Sequence, residues 1–137
     1  MDYLLDTNAC IALINGTPVS VRTRFQKAIA GGSQIHVSAL VTYELWYGVA
    51  KSTRPEQNAK RLEIFLAGPI TLLSYEESDA RAGGTIRGHL EKSGKPIGAY
   101  DVLIAGQALA RTLTLVTANV SEFARVKGLN WQDWAKS

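Results

Sequence analysis

The feature that most constrains the fold of this chain is a regular alternation of short apolar segments with longer helical ones. Runs rich in apolar or β-branched residues predict buried strands at residues 3–5, 35–38, 70–73 and 114–117. Patterns bounded by Gly, Asn or Pro predict helices at residues 7–14, 18–30, 39–50, 55–67, 76–93 and 101–111. Strands that alternate with helices need crossover connections. We therefore predict an α/β fold with a central, mostly parallel β-sheet flanked by helices.

Length and composition fit one globular domain over residues 1–137. The chain is 46% hydrophobic and 20% charged, and its single Cys10 has no partner for an internal disulfide. Its start lacks the pattern of a signal peptide, and no apolar stretch approaches the roughly 20 residues that cross a bilayer. We therefore expect a cytoplasmic protein with no membrane partner. The net charge of +3 is compatible with a polyanionic partner but does not require one.

Three acidic residues, Asp6, Glu44 and Asp101, stand at positions that are unusual for a purely structural role. Asp6 directly follows the apolar run of the first predicted strand and opens the next helix, where it could also serve as an N-cap. Glu44 has Leu40, Val41 and Gly48 at helical spacing, on the stripe expected to face the core. A charge there is costly unless it is paired or metal-bound. A buried ion pair and a functional role are equally compatible with the position of Glu44.

Asp101, the third of these acids, and a fourth polar position, Asn119, lie near predicted element ends. Asp101 begins a helix that is apolar over most of residues 102–110, and it could be the cap of that helix. Asn119 follows the strand at 114–117, within a segment whose composition is also typical of a turn. We take Asp6, Glu44, Asp101 and Asn119 as candidate catalytic residues. Residues that adjoin them are further candidates, namely Thr7, Asn8, Thr117, Ser121 and Glu122.

A parallel sheet could bring these oxygen-bearing side chains together at the carboxyl ends of its strands. Carboxylates crowded in one pocket repel one another unless a cation is present. Oxygen-only ligands suit Mg²⁺ or Mn²⁺, and such an ion polarises a phosphoryl oxygen and activates water for phosphodiester hydrolysis. We therefore predict Asp6, Glu44 and Asp101 as metal ligands.

The same segments resemble those of a known family. Residues 4–8, with the sequence LLDTN, are similar to the opening of PIN domains, where a strand delivers the first catalytic Asp. Residues 41–48, VTYELWYG, and 97–105, IGAYDVLIA, resemble the segments that carry the catalytic Glu and the next Asp. The block over residues 115–134 resembles the C-terminal part of VapC toxins, which are PIN-domain ribonucleases. The resemblance covers essentially the whole chain in the right order.

The resemblance implies a three-layer PIN-like domain and a Mg²⁺- or Mn²⁺-dependent endoribonuclease that leaves a 3′-hydroxyl and a 5′-phosphate. It implies a toxin of a type II toxin–antitoxin pair that acts as a homodimer. A cognate VapB-like antitoxin would inhibit it by placing its C-terminal segment in the catalytic groove, within a complex that could assemble further. The substrate implied is RNA, with tRNA, including initiator tRNA, as one candidate. The chain departs from many PIN domains at the fourth acidic position, where it has Asn119. The number of metal ions that bind, one or two, is therefore left open. Glu122 could supply the missing carboxylate.

Two other functions compete with this one. A phosphatase of the haloacid dehalogenase kind needs a second Asp two positions after the first, and this chain has Asn8 there. A PIN-fold module that binds RNA or protein without catalysis is favoured only by Asn119. Such a module would tolerate removal of Mg²⁺ and neutralisation of Asp6, whereas a nuclease would not.

Overall fold

The computed structural model describes residues 1–136 and confirms the α/β prediction with a three-layer architecture. Five strands form the central sheet in the order β3-β2-β1-β4-β5, and all four pairings are parallel. The strands are β1 (Tyr3–Leu5), β2 (Ile35–Ser38), β3 (Thr71–Leu73), β4 (Thr114–Val116) and β5 (Trp131–Gln132). The helices are α1 (Thr7–Asn15), α2 (Val19–Ala30), α3 (Ala39–Ala50), α4 (Pro55–Leu66), α5 (Glu77–Lys92), α6 (Ala99–Arg111) and α7 (Val120–Phe123).

The core forms around the central strand β1. Leu4 and Leu5 are fully buried between β2 and β4, and Val37 and Leu115 on those neighbours are fully buried as well. Strands covered on both faces in this way are apolar without alternation, which is why their short runs were recognisable in the sequence. None of the helices within residues 1–136 combines the length and apolar character needed to span a bilayer.

The element boundaries differ from the predicted ones at a few places. Helix α6 begins at Ala99, two residues before its predicted start, because Gly98 rather than Asp101 occupies the N-cap. The prediction that Asp101 could cap this helix is therefore wrong. Helix α7 and strand β5 were not predicted. They are four and two residues long, too short to produce a periodic pattern.

The strand order places a crevice at one defined point of the sheet. From β1 the chain proceeds outward through β2 to β3, whereas β4 pairs with the other edge of β1. In open parallel sheets, ligands bind beyond the carboxyl ends of the strands where the order reverses in this way. Leu5 is in register with Val116, so the residues that follow these strands, Asp6 and Thr117, begin the crevice side by side.

Candidate active site

Asp6 stands at the carboxyl end of β1 and begins α1. Its Oδ1 accepts a hydrogen bond from the Ala9 amide at 2.8 Å, so the predicted cap is confirmed. Burial raises the pKa of this carboxyl, and the charges of Glu44 and Asp133 raise it further. Hydrogen bonds from the Thr117 hydroxyl and the Ala9 amide oppose the rise. A capped carboxylate whose ionised form is disfavoured by burial and by two acidic neighbours is well suited to receive a cation.

Glu44 reaches the crevice from the middle of α3 and is half-buried. Its Oε1 accepts a short hydrogen bond of 2.6 Å from Oγ1 of Thr7, the first residue of α1. This contact joins two residues that are 37 positions apart in the chain. Within residues 1–136 the salt bridges are Arg87–Glu91 and Arg111–Asp79, so no basic partner accounts for the position of Glu44.

Asp101, Asn119 and Glu122 form one hydrogen-bonded group. Nδ2 of Asn119 donates to Oδ2 of Asp101 at 3.1 Å and also to Oε2 of Glu122. Burial, together with the adjacent carboxylates of Glu122 and Asp6, raises the pKa of Asp101 to about 7. Hydrogen bonds from Asp101 and Asn119 lower the pKa of Glu122. Two carboxylates are thus held side by side, and Asp101 is the one that takes up a proton more readily.

Asn119 is positioned by the strand that precedes it. Its backbone amide donates to Oγ1 of Thr117 at 2.9 Å, and Thr117 is buried directly after β4. Asn119 is also the N-cap residue of α7, but its side chain makes no capping hydrogen bond because it contacts the carboxylates instead. In the structure the amide nitrogen of Asn119 is the group that contacts both acids, so this side chain acts there as a hydrogen-bond donor.

The adjoining candidates divide into two groups. Thr7 and Thr117 contact site residues through their hydroxyls. Asn8 and Ser121 are exposed, and in the part of the chain that the structure describes neither side chain forms a hydrogen bond. Asp133, which follows β5 and contributes negative charge near Asp6, was not among the predicted site residues. It lies in the block that resembles the C-terminal part of VapC toxins, but its local sequence does not mark it as a neighbour of Asp6.

The donor set fits a hard divalent cation in its chemistry. Asp6, Glu44, Asp101 and Glu122 offer carboxylate oxygens, and oxygen ligands are preferred by Mg²⁺ and Mn²⁺. In the present arrangement no three Asp, Glu, His or Cys side chains of residues 1–136 are grouped tightly enough to ligate one ion. The hydrogen bonds from Thr7 and Asn119 hold these carboxylates in their present positions. Ligation therefore requires side-chain rotation. Burial first, and then the charges of Glu122 and Asp6, raise the pKa of Asp101, so a cation bound beside it would favour its ionised form.

A groove adjoins the crevice on the side of Glu44. It encloses about 340 Å³ between α1, α3 and α4 and is lined mainly by apolar side chains such as Ile11, Leu45 and Leu62. Arg61 lies at its edge, where Nη2 donates to the Ile14 carbonyl at 3.1 Å. The carboxylates are therefore continuous with an apolar surface on one side.

Comparison with known proteins agrees with this architecture. The family model of the PIN domain matches residues 3–129. The tRNA(fMet)-specific endonuclease VapC of Shigella flexneri is 40% identical over 135 residues, covering 98% of this chain and 99% of the relative. Ribonuclease VapC2 of Rickettsia felis is 39% identical over 136 residues, covering 99% of this chain and 100% of the relative.

Solved structures give the same assignment. One chain superimposes on this protein with a TM-score of 0.91 and 38% sequence identity, covering 98% of this chain and 99% of its own length. It belongs to the crystal structure of VapBC2 from Rickettsia felis bound to a DNA fragment from their promoter. DNA-bound VapBC from Salmonella typhimurium gives a TM-score of 0.89 at 37% identity, with 98% of each chain covered. With a family match over nearly the whole chain and relatives well above 30% identity, the chain belongs to the PIN-domain family and, within it, to the VapC ribonucleases.

Proposed function

We propose that this protein is the toxin of a type II toxin–antitoxin pair and acts as a metal-dependent endoribonuclease. The observation that carries the proposal is the meeting of Asp6, Glu44, Asp101 and Glu122 around the crevice between β1 and β4. PIN-domain ribonucleases depend on divalent metal ions, and oxygen ligands such as these favour Mg²⁺ or Mn²⁺. The curated relatives carry the names ribonuclease or endonuclease.

In this proposal Asp6, Glu44 and Asp101 hold the metal ion, and Glu122 is a further candidate ligand. When bound, the ion supplies Lewis-acid stabilisation of the negative charge that develops on the phosphoryl oxygens. Thr7 fixes the Glu44 carboxylate through its 2.6 Å hydrogen bond. Asn119 positions Asp101 and Glu122 by donating to both, while Thr117 positions Asn119 through its backbone amide. The pKa of Asp101, raised to about 7, makes it the carboxyl of this pair that takes up a proton first as the pH falls.

The proposed substrate is tRNA, with hydrolysis that leaves a 3′-hydroxyl and a 5′-phosphate. The name of the Shigella flexneri relative, a tRNA(fMet)-specific endonuclease, supports tRNA as the class and makes initiator tRNA the first member to test. The chain's net charge of +3 is compatible with a polyanionic substrate. A tRNA substrate would place the protein in the cytoplasm.

The proposed protein partner is a VapB-like antitoxin. The support is that the solved relatives include VapBC complexes from Rickettsia felis, Salmonella typhimurium and Haemophilus influenzae. The groove between α1, α3 and α4 adjoins Glu44, so a segment bound there could extend over the carboxylates and block the substrate. We propose a homodimer as the toxin form, with further assembly when the antitoxin is bound.

The deciding experiment is cleavage of total tRNA by the purified protein. Fragments should appear with Mg²⁺ or Mn²⁺ and disappear with EDTA or in Asp6→Asn. Glu63→Gln is the matched control, because it neutralises an exposed carboxylate on α4 outside the site and should leave cleavage unchanged. Sequencing the fragment ends would identify the substrate and the cleaved bond. Intact tRNA in every condition would contradict the proposed substrate, and a metal titration would then show whether the carboxylates bind an ion.

A second candidate function is a PIN-fold module that binds RNA or protein without cleaving it. One observation favours this module, since Asn119 supplies a hydrogen-bond donor where many PIN domains have an acid. Expression of the protein without a partner separates the two functions. A nuclease should arrest the host, and Asp101→Asn should relieve the arrest. A silent module should give no arrest, and arrest that persists in Asp101→Asn would contradict the assigned site.

A further inference from the structure

The structure contains a second groove whose charge is opposite to that of the carboxylate site. It encloses about 740 Å³ along α5, between that helix, the end of α6 and the segment that follows α7, and we call it the α5 groove. Its basic side chains are Arg81, His89, Arg125 and Lys127, and none of its lining residues is Asp or Glu. A groove lined by several cations and no anion favours a polyanionic ligand.

The α5 groove also has an apolar floor. Ile86, Leu90 and Val126 line it and are all buried. Arg81 and His89 lie on α5 eight residues apart, which is about 12 Å along the helix axis. A nucleic-acid strand that rises about 3.4 Å per nucleotide would place roughly three phosphates over that distance. The groove can therefore contact successive phosphates while its floor packs against ribose or base.

One end of the α5 groove is linked to the carboxylate site through Arg125. The Arg125 backbone amide donates to the Glu122 carbonyl at 3.1 Å. Its guanidinium donates to the Pro96 carbonyl at 3.0 Å, which fixes the side chain near the segment that enters α6. Arg125, which lines the groove, is therefore separated from the candidate ligand Glu122 by a single backbone turn.

A polyanionic substrate needs basic contacts outside the catalytic crevice. The carboxylates of the crevice repel phosphates, so the affinity for RNA has to come from cations elsewhere. Several arginines are occupied by contacts within the protein, for example Arg111 with Asp79 and Arg87 with Glu91. Arg81 and Lys127 are exposed, and among residues 1–136 their side chains form neither a hydrogen bond nor a salt bridge.

We propose that the α5 groove binds the phosphodiester backbone of the RNA substrate beside the cleaved bond. This inference rests on the proposed ribonuclease function and extends it, because it assigns substrate affinity to a surface separate from the carboxylates. Arg81 and Lys127 contact phosphates directly. Arg125 and His89 line the same path, Arg125 at the end that adjoins the site.

The test measures binding of fluorescein-labelled bulk tRNA by fluorescence anisotropy at several KCl concentrations. EDTA is present, so that binding is observed without metal-dependent cleavage. The groove variant is the double substitution Arg81→Gln and Lys127→Gln. The matched control is Lys27→Gln with Lys60→Gln, which removes the same charge from exposed positions on α2 and α4. Thermal unfolding of both variants verifies that they are folded.

The groove variant should raise the Kd for tRNA about tenfold at low salt. It should also lower the slope of log Kd against log salt by about 2, one for each lost phosphate contact. The control pair should change both quantities less. Equal changes in the two variants would overturn the proposal. Binding of labelled polyglutamate is measured in the same way. If the groove variant lost binding of polyglutamate but bound tRNA like the native protein, the proposal would also be overturned, because the groove would then bind an acidic polypeptide.

A cleavage assay separates this proposal from the proposed catalysis. With Mg²⁺ or Mn²⁺, the groove variant should cleave tRNA with a raised KM and little change in kcat, because the lost contacts bind the substrate and do not touch the reacting atoms. A fall in kcat with an unchanged KM would overturn the groove proposal. If the native protein binds tRNA but cleaves no RNA, the catalytic proposal fails. The role of the α5 groove is then still decided by the slopes of log Kd against log salt in the groove variant and its control.

Discussion

Asn119 donates a hydrogen bond from Nδ2 to Oδ2 of Asp101 across 3.1 Å, and the same nitrogen donates to Glu122. A neutral donor thus stands between two carboxylates that would otherwise repel each other. An ionised Asp at position 119 could only accept hydrogen bonds. The amide therefore determines whether this part of the site is held together without a cation.

We predict that Asn119→Asp makes the fold more dependent on a divalent metal. Loss of two hydrogen bonds to carboxylates, with one more negative charge, should destabilise the protein by about 1–3 kcal/mol in EDTA. Mn²⁺ should raise the Tm of this variant more than that of the native protein, because the added carboxylate is a further ligand. Thermal unfolding in EDTA and in Mn²⁺ measures both effects. Asn119→Ala is the control, and an equal response to Mn²⁺ in the two variants would contradict the prediction.

A second prediction concerns the hydrogen bond from Thr7 to Glu44. Thr7→Val keeps the shape of the side chain but removes the hydroxyl that donates at 2.6 Å. Groups that orient a metal-ligating residue contribute about 10- to 100-fold to activity, so kcat for RNA cleavage should fall within that range while KM changes little. Thr7→Ser retains the donor and should restore most of the rate. A Thr7→Ser enzyme as slow as Thr7→Val would show that the methyl group, not the hydroxyl, is required.

The sequence was informative about the site where a carboxylate contradicts its apolar surroundings. Asp6 after a buried run and Glu44 on an apolar helix stripe are both visible from spacing, because burying a charge is costly. The short apolar runs also predict the parallel sheet. In the structure, the reversal of strand order at β1 places Asp6 and Thr117 side by side. These parts of the fold depend on local patterns that a single sequence records.

Other features depend on tertiary contacts that leave no local pattern. Strand β5 has two residues, so the approach of Asp133 toward Asp6 could not be anticipated. The acidic residues at the start of α5 have the composition of an ordinary exposed first turn. Only the packing of α6 against that turn buries Asp79 completely. The donor role of Asn119 likewise depends on Asp101, which is 18 positions away in the chain and reaches Asn119 only through the fold.

Asp79 is the basis of a prediction about acid stability. It is fully buried, and Arg111 donates to its two oxygens, from Nε and Nη2, at 3.0 Å each. Burial by itself raises the pKa of Asp79, but hydrogen bonds from Arg111 and the Glu76 amide outweigh burial and leave the pKa below its ordinary value of 3.8. A carboxyl whose pKa is lower in the folded state stabilises the fold above pH 3.8 and loses that contribution as the pH falls through the folded-state pKa.

Urea unfolding between pH 7 and pH 2.5 tests this linkage. The free energy of unfolding of the native protein should fall below about pH 4. Asp79→Asn should show a smaller fall over that window, whereas Glu77→Gln, at an exposed position of the same turn, should keep the native profile. Arg111→Ala leaves the buried carboxylate without its partner and should cost about 3 kcal/mol at pH 7. An unchanged acid profile in Asp79→Asn would exclude Asp79 as the source of the fall.

The last prediction concerns the contact between α5 and α6, which holds Asp101 in place through the packing of its helix. A Cβ atom at position 106 would lie 2.5 Å from the backbone nitrogen of Gly83 and 2.6 Å from its Cα. Both neighbours are backbone atoms, so the two helices must move apart to accept it. Gly106→Ala should therefore destabilise the protein by about 3 kcal/mol in urea unfolding.

Gly84→Ala is the matched control for that substitution, because a Cβ there meets no atom within 4 Å. The site lies inside α5, so Ala should stabilise the helix by up to about 1 kcal/mol. The two variants add the same methyl group within the two packed helices, at a buried position of α6 and at an exposed position of α5, and should change stability in opposite directions. A Gly106→Ala protein as stable as the native one would mean that the helices can separate freely, and the position of Asp101 would then depend on its hydrogen bond to Asn119 more than on helix packing.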